Sequence, residues 1–257
     1  MAAAERRHQA PTGAAAGERI AKRIARSGLC SRRDAERLIL DGRVTVDGKA
    51  LATPAHVVTG TVRIEVDGAP LPDLEPPRLI RFHKPEGVLV ARRDPDGRST
   101  IYDQLPRHYD HLMPVGRLDL NSEGLLLLTN DGGLKRHMEL PQTGWARRYK
   151  VRVHGKPQTQ ALASLAEGVT VEGIRYGPIE AKLERQQGDN AWLQVRLREG
   201  KNREVRRVLE HLGYPVNRLI RTAYGPFQLG ALPRGHVEEV PLKVLKEQLG
   251  KVLAGWS

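Results

Sequence analysis

The chain has 257 residues, 39% of them hydrophobic, so it can bury a sizeable core and is not disordered as a whole. Its 42 lysine and arginine residues against 30 acidic residues give a formal net charge of +12, which favours a polyanionic partner, above all nucleic acid. A single cysteine, Cys30, excludes an intramolecular disulfide and a multi-cysteine zinc site, and this cysteine usage predicts a cytoplasmic protein.

The first predicted elements form a small module over residues 18–72. Residues 1–17 lack the apolar core of a signal peptide, and we predict that they are a mobile tail. Apolar residues at helical spacing predict a first helix that Gly28 ends, and Ser31 is predicted to cap a second helix that ends before Gly42. Two Asp-Gly pairs after alternating apolar runs predict tight hairpin turns in a small sheet.

A proline-rich linker is predicted at residues 73–77, followed by a second domain over residues 78–257. Strands are predicted at residues 79–83, 124–129, 149–153 and 192–197, and helices at residues 159–167, 202–212 and 241–249. Four consecutive leucines in the second of these strands are typical of a strand buried on both faces. The mixture predicts an α+β fold, and no stretch approaches the roughly 20 apolar residues that span a membrane.

The two helices of the small module carry many basic residues. The candidates for binding RNA phosphates are Arg19, Lys22, Arg23, Arg32 and Arg33. Side by side, the helices can present these residues as one positive face, which binds phosphates largely without sequence preference. The alternative interpretation is an ordinary solvated helix face.

Residues 18–66 resemble the small RNA-binding module first named in a small-subunit ribosomal protein. The likeness lies in the basic residues, helix starts and glycines of residues 19–22, 27–36 and 42–48. It implies that the module docks on structured RNA, with Cys30 as a packing residue.

Residues 116–125, GRLDLNSEGL, form a predicted loop that leads into the leucine-rich strand. The loop carries one carboxylate, Asp119, beside the guanidinium of Arg117. Loops held by a rigid strand commonly carry function. Taken alone, however, the pattern fits a surface turn with a local Arg–Asp pair better than a catalytic site.

The same residues 116–125 resemble the signature of the RsuA/RluB-type rRNA pseudouridine synthases. Residues 148–151, RYKV, and 200–207, GKNREVRR, resemble two further motifs of that family, in the family's order. The resemblance covers nearly the whole chain beyond the tail. It implies a small RNA-binding module followed by a catalytic domain with a mostly antiparallel sheet and a central cleft.

The family's chemistry implies a role for each motif. The reaction breaks the N-glycosidic bond of a uridine, turns the base and rejoins it through carbon, and it needs no metal or redox cofactor. Asp119 would be the catalytic carboxylate, either as a nucleophile or as a base. Arg206, with Arg203 as the fallback, would keep Asp119 ionised against desolvation. Tyr149 would stack on the uracil, unless it is simply a half-buried strand tyrosine.

Further contacts with RNA follow from the need to take the target base out of its stack. Arg117 is expected to fill the vacated space. The residues expected to touch phosphates are Lys201, Asn202 and Arg203, with Arg218 and Arg221 extending the basic strip. Glu123, the other acid near Asp119, is expected to be structural.

Residues 83–87 and 94–100 resemble the start of the RluB-type catalytic domain more than the RsuA type. We therefore expect the substrate to be a uridine in large-subunit (23S) ribosomal RNA. The alternatives are a uridine of small-subunit or transfer RNA, and a non-catalytic RNA-binding or ribosome-assembly factor with the same fold.

Other residue groups favour no separate site. The spacing of His108, Asp110 and His111 gives no regular metal-ligand face, so we expect no metal. Trp145 and Trp192 are interpreted as packing residues. We expect a monomer that has no membrane partner.

Overall fold

The computed structural model describes residues 17–253, and the chain divides into two compact units between Glu75 and Pro76. Almost all of the predicted tail therefore lies outside the described residues. Within them, no helix is both long enough and apolar enough to cross a bilayer.

The first unit consists of two helices and short strands. Its elements are β1 (Glu18–Arg19), α1 (Ile20–Arg26), α2 (Arg32–Leu40), β2 (Val44–Val46), β3 (Lys49–Ala50), β4 (Val57–Val58), β5 (Ile64–Val66) and β6 (Ala69–Pro70). The backbone N–H of Asp34 donates to the Ser31 hydroxyl at 3.2 Å, so the predicted cap of α2 is confirmed. Both residues of the first Asp-Gly pair have positive φ, 49° at Asp47 and 76° at Gly48, as a tight hairpin turn requires.

The core of this unit lies between its helices and its four-stranded sheet, β3-β2-β5-β6. Ile20 and Ile24 of α1 and Ile39 of α2 are fully buried there against valines of β2 and β5. Cys30 is partly buried against the same core, as expected for a packing residue.

The second unit begins with β7 and ends with a long helix. Its strands are β7 (Leu79–Lys84), β8 (Met113–Val115), β9 (Glu123–Thr129), β10 (Arg147–His154), β11 (Val169–Val171), β12 (Ile174–Tyr176), β13 (Ile179–Gln187), β14 (Asn190–Leu197), β15 (Val216–Tyr224), β16 (Phe227–Gln228) and β17 (Val237–Glu239). Its α-helices are α3 (Gly132–Glu139), α4 (Thr159–Ala163), α5 (Glu204–His211) and α6 (Leu242–Leu253). Short 3₁₀ turns occupy residues 101–103, 107–109, 141–143 and 164–167.

Nine strands of the described residues form one sheet with the order β13-β14-β10-β15-β9-β7-β17, to which β8 and β16 add at β9 and β15. Its pairs are antiparallel except the one between β15 and β9, where Gly124 lies beside Arg221. A Cβ at Gly124 would come within 2.4 Å of the Arg221 carbonyl oxygen, so only glycine permits this approach. The expected α+β fold is confirmed.

Strand β9 is buried along its whole length, because cores form on both of its faces. Leu125 and Leu127 pack against α3 and α6, whereas Leu126 and Leu128 pack on the other face with Ile80 and Phe82 of β7. The prediction of a strand buried on both faces is thus confirmed.

Strands β10, β14 and β15 bury only one face. Alternate residues such as Val151, Leu193 and Leu219 pack against α4 and α5, while the residues between them point to the opposite side of the sheet. The structure therefore gives this half of the sheet two chemically different faces.

Helix α3 was not among the predicted helices, and the Asp131 carboxylate caps it by accepting from the Leu134 N–H at 2.7 Å. The predicted helices have different bounds in the structure. The helix predicted from residue 202 begins only at Glu204, since Arg203 has a left-handed φ of 51°. Residues 159–167 divide into α4 and a 3₁₀ turn.

Candidate active site

Asp119 lies in the loop that connects β8 to β9 and lines an open cleft of about 930 Å³. The loop folds back on itself, since the Ser122 N–H donates to the Asp119 carbonyl at 3.1 Å. Asp119 is half-buried, and no ion pair of its carboxylate occurs among the described residues. A partly shielded carboxylate without a fixed partner is available to a bound substrate.

Lys84, the last residue of β7, anchors this loop from below the surface. Its side chain is fully buried, and its ammonium donates to the carbonyls of Pro85 (2.9 Å), Asp119 (3.2 Å) and Ser122 (2.8 Å). Burial lowers the pKa of Lys84 to about 8, and the negative charge of Asp119 acts in the opposite direction. The ammonium of Lys84 therefore connects strand β7 to the loop that carries Asp119.

Arg206 on α5 binds the same stretch of the loop as Lys84. Its guanidinium donates to the carbonyls of Asn121 (2.5 Å) and Val216 (3.0 Å), and its Nε is buried without a hydrogen-bond partner among the described residues. Burial lowers the pKa of Arg206, while the charge of Asp119 acts to raise it. The two charges interact without forming an ion pair in the described residues, and Arg206 fixes the backbone around Asp119.

Tyr149 and Arg117 line the same cleft as Asp119. Tyr149 is half-buried on β10 and packs against the core on that face of the sheet. Arg117 is exposed two residues before Asp119. The structure thus brings together residues from the first two motifs, which are about 30 positions apart in the chain.

The loop from Gly200 to Arg203 forms another side of the cleft. The Lys201 ammonium is paired with the Glu199 carboxylate at 2.7 Å and donates to the Arg175 carbonyl at 2.6 Å. Asn202 and Arg203 are exposed. These two side chains are the more available to a phosphate, because the charge of Lys201 already has a partner.

Two carboxyl groups lie beneath this loop. Glu204 is 3% exposed, and its carboxyl accepts from the Lys201 N–H at 2.9 Å. Two effects raise the pKa of Glu204 to about 8: burial, which contributes most, and the interaction with Glu199. The raised pKa favours the protonated form of Glu204.

The prediction that Arg218 and Arg221 extend one basic strip for binding phosphates is wrong, because the two side chains lie on different faces of β15. Arg221 is 2% exposed, and its Nε donates to the Leu125 carbonyl at 2.7 Å, so it joins β15 to β9. Arg218, on the other face of β15, is paired with Glu123. Glu123 is also paired with Arg234 at 2.6 Å, which agrees with its expected structural role.

The predicted positive face of the small unit is partly neutralised. Glu18, which precedes the helices, accepts ion pairs from Lys22 (3.7 Å), Arg23 (3.2 Å) and Arg26 (3.0 Å). On α2, Arg32 is paired with Glu36 at 3.2 Å. Two further candidates, Arg19 and Arg33, are exposed and make no ion pair with any described residue.

The two tryptophans differ. Trp145 packs edge-on against Tyr224 and Phe227 in the core above β9, as expected. Trp192 is half-buried on the open face of β14, beneath the Lys150 ammonium at 5.2 Å from the ring centre. Trp192 is therefore a packing residue outside the core, because its position on the strand points it away from the core.

Sequence reasoning assigned no role to Lys84 or Glu204. In the sequence, Lys84 stands out only as part of residues 83–87. The pattern that could have indicated its role is the alternation of β7, which places this lysine at a buried position. Glu204 follows the left-handed Arg203, and its burial depends on how α5 packs. Among the described residues, no group of three or more His, Cys, Asp or Glu side chains is arranged to hold a metal.

Two family models match the sequence. A family described as RNA pseudouridylate synthase matches residues 78–211, and the S4 domain matches residues 18–64. A structure search gives the same fold: a crystal structure described as pseudouridylate synthase has a TM-score of 0.64 at 24% identity, over 90% of this chain and 99% of that one.

Curated relatives match over most of their length. An uncharacterized RNA pseudouridine synthase of Rickettsia prowazekii is 43% identical over 234 residues, 90% of this chain and 97% of the relative. The ribosomal large subunit pseudouridine synthase B of Pasteurella multocida is 42% identical over 244 residues, 91% of this chain and 71% of the relative.

Proposed function

Because the chain belongs to the RNA pseudouridylate synthase family, a family of isomerases, we propose that it converts one uridine of large-subunit ribosomal RNA to pseudouridine with Asp119 as its catalytic carboxylate. The observation that carries the proposal is the position of Asp119. It lies in an open cleft, without an ion-pair partner among the described residues, and two buried cations, Lys84 and Arg206, bind backbone carbonyls of residues 119–122 around it.

The chemistry asks for one ionised carboxylate near the sugar or the base. The bond between N1 of uracil and C1′ of ribose breaks, a bond between C5 and C1′ forms, and the proton on C5 is replaced by one on N1. Asp119 acts on this centre as a nucleophile or as a base. Substrate binding shields it from water, which favours its neutral form, and the nearby positive charge of Arg206 opposes that effect.

Tyr149 and Arg117 handle the base. Tyr149 presents an aromatic ring in the cleft, on which the uracil stacks. Removing a uridine from its stack costs a few kcal/mol, and Arg117, exposed beside Asp119, offsets this cost by filling the gap. Asn202 and Arg203 bind phosphates on another side of the cleft. Lys201 also binds a phosphate, which replaces Glu199 as the partner of its ammonium.

One observation favours the large subunit, and a second supports RNA binding in general. The match to the large subunit enzyme of Pasteurella multocida extends over 91% of this chain and so includes both units. The S4 module leaves Arg19 and Arg33 exposed and without ion pairs in the described residues, available to RNA phosphates.

The test is a pseudouridine assay on unmodified large-subunit and small-subunit rRNA transcripts, with modified positions mapped by chemical labelling and primer extension. Wild type is expected to modify one uridine of the large-subunit transcript. The variant Asp119→Asn is expected to lose activity by at least about 10³-fold while binding the RNA equally well, because only the carboxylate is removed.

The matched control is Asp189→Asn, in the exposed turn between β13 and β14, which should keep full activity. Activity on the small-subunit transcript alone would replace the proposed substrate. If wild type modifies no uridine in transcripts or ribosomal particles and both proteins bind RNA, the chain is a binding factor and the proposal fails.

A further inference from the structure

The half of the sheet formed by β13, β14, β10 and β15 has one open face that the proposed reaction does not use. Residues of the cleft and core, such as Tyr149, Val151 and Leu219, point to the other face. The side chains between them on the same strands point away from the cleft, and basic residues predominate among them.

Strand register groups these side chains into rows across the sheet. The first row is Arg185 on β13, Trp192 on β14, Arg152 on β10 and Arg218 on β15. The second row is Lys182, Gln194, Lys150 and Ile220, in the same strand order. Four adjacent strands extend over roughly 14 Å, so each row spans several phosphates of a nucleic-acid strand.

We call the basic face the set of Arg148, Lys150, Arg152, Lys182, Arg185, Arg196 and Arg218. Three of its cations have partners: Lys150 with Glu184 (3.2 Å), Arg196 with Glu180 (2.7 Å), and Arg218 with Glu123. The other four make no ion pair with any described residue. They are Arg148, Arg152, Lys182 and Arg185.

Two cross-strand pairs on this face bring arginines side by side, and one arginine of each pair also has an acidic partner. Arg152 lies directly opposite Arg218, and Arg148 lies directly opposite Arg196, and like charges in such pairs destabilise a sheet. Trp192 is half-buried at the centre of the first row, with the Lys150 ammonium over its ring. A polyanion laid across the strands converts this repulsion into attraction.

We propose that the basic face is a second RNA-binding surface, which holds the phosphate backbone of a structured RNA segment away from the target uridine. The identity of that RNA rests on the proposed function, whereas the surface itself rests on strand register and charge. The occupant is RNA because the face combines an excess of cations with a row long enough to follow a phosphate backbone.

The test is the double variant Arg152→Gln with Arg185→Gln. Its Kd for an unmodified large-subunit rRNA transcript, measured by filter binding between 50 and 300 mM salt, is expected to rise about tenfold at the lower salt concentrations. The slope of log K against log salt should become shallower by about 1.5 to 2, because two phosphate contacts are lost. The single-turnover rate at saturating enzyme should stay unchanged, since neither residue lines the cleft.

The control is Lys243→Gln with Lys246→Gln, which removes the same charge from exposed positions on α6. It should leave both Kd and slope unchanged. Equal Kd and slope in both double variants and wild type would overturn the proposal, and so would equal losses in both, which indicate only an effect of net charge.

Thermal unfolding separates a binding role from a structural one. The Arg152→Gln with Arg185→Gln variant should melt no lower than wild type, because neither arginine makes an ion pair with a described residue that the substitution would remove. A lower melting temperature together with weaker binding would overturn the proposal in favour of a structural role. Kd values are also compared in the Asp119→Asn background, in which no turnover is expected, so a wild type that modifies no uridine refutes the proposed function while this comparison stands.

Discussion

Lys84 and Glu204 are buried ionisable residues near the cleft, and their pKa values are shifted from opposite directions to about 8. Each side chain organises backbone rather than reaching into the cleft. Lys84 binds carbonyls of the loop that carries Asp119, and Glu204 accepts from the N–H of Lys201. At the residue scale, the site therefore depends on polar groups that are themselves shielded from water.

The substitution Lys84→Met should damage catalysis more than binding. It leaves buried carbonyls without a donor, which costs at least about 2 kcal/mol in the free energy of unfolding. The loosened loop misplaces Asp119, and turnover should fall roughly 10- to 100-fold. Denaturant unfolding and single-turnover assays measure both effects, and RNA affinity should stay near wild type.

Lys156→Met is the matched control for Lys84, because Lys156 is an exposed lysine of the same unit. It should change neither stability nor turnover. Wild-type turnover in Lys84→Met would show that the loop holds its geometry without this lysine.

Glu204 should make stability depend on pH below 8. Between its ordinary pKa of 4.5 and its folded-state pKa of about 8, the folded chain keeps a proton that the unfolded chain has lost. The free energy of unfolding therefore falls as pH rises through this window. In Glu204→Gln the melting temperature should fall less between pH 5 and pH 8 than in wild type.

Lys84 does not interfere with that measurement. Its lowered pKa affects stability only between about 8 and 10.5, where stability rises with pH because the unfolded chain binds the extra proton. Equal pH slopes for wild type and Glu204→Gln below pH 8 would contradict the assignment of a neutral Glu204.

Helix α2 shows how neighbouring elements change the meaning of a charge pattern. Arg32 and Arg33 are adjacent in sequence, yet Arg32 is paired with Glu36 one turn later, whereas Arg33 makes no ion pair with a described residue. Glu18 of β1 likewise forms ion pairs with Arg23 and Arg26 of α1. At the element scale, the basic helices therefore offer fewer free cations than their composition suggests.

The substitutions Arg32→Ala and Arg33→Ala should both weaken RNA binding, and Arg33→Ala should do so more. The unpaired Arg33 gives up only bound water when it binds a phosphate, whereas Arg32 must also break its ion pair with Glu36. The combined variant should make the salt slope shallower by about 2, as measured by filter binding. Arg37→Ala is the control, since Arg37 is paired with Asp34 on the same helix.

An unchanged affinity and salt slope in the combined α2 variant would contradict an RNA-binding role for this helix. A loss equal to that of the Arg37→Ala control would indicate a general charge effect.

The whole molecule contains two units with separate hydrophobic cores. One core draws its buried residues from residues 20–66, and the others draw theirs from residues 79–253. Separate cores of this kind allow each unit to unfold with its own melting temperature, and the melting temperatures compared above are those of the second unit.

Calorimetry should show two unfolding transitions. Ile24→Ala removes a fully buried side chain from the first unit, and Leu127→Ala removes one from the second. Each should cost about 2–5 kcal/mol and lower only the transition of its own unit. A single transition shifted by both variants would show that the units unfold together.

The sequence by itself determined the local elements and the family. Leucines 125–128 predicted the doubly buried β9, Ser31 predicted the cap of α2, and the Asp-Gly pairs predicted tight turns, because each depends on residues close together in the chain. The motifs at 116–125 and 200–207 indicated the family for the same reason, since each is one contiguous segment. The roles of Asp119, Tyr149 and Arg206 remain predictions for the experiments above.

Only the tertiary structure decided which charges are free. Arg221 is buried against β9, and Arg152 joins Arg185 in one row, because β10 lies between β14 and β15, strands far away in sequence. The raised pKa of Glu204 likewise requires the packing of α5. Burial and strand register depend on contacts between distant segments, and a charged side chain acquires its environment only when those segments meet.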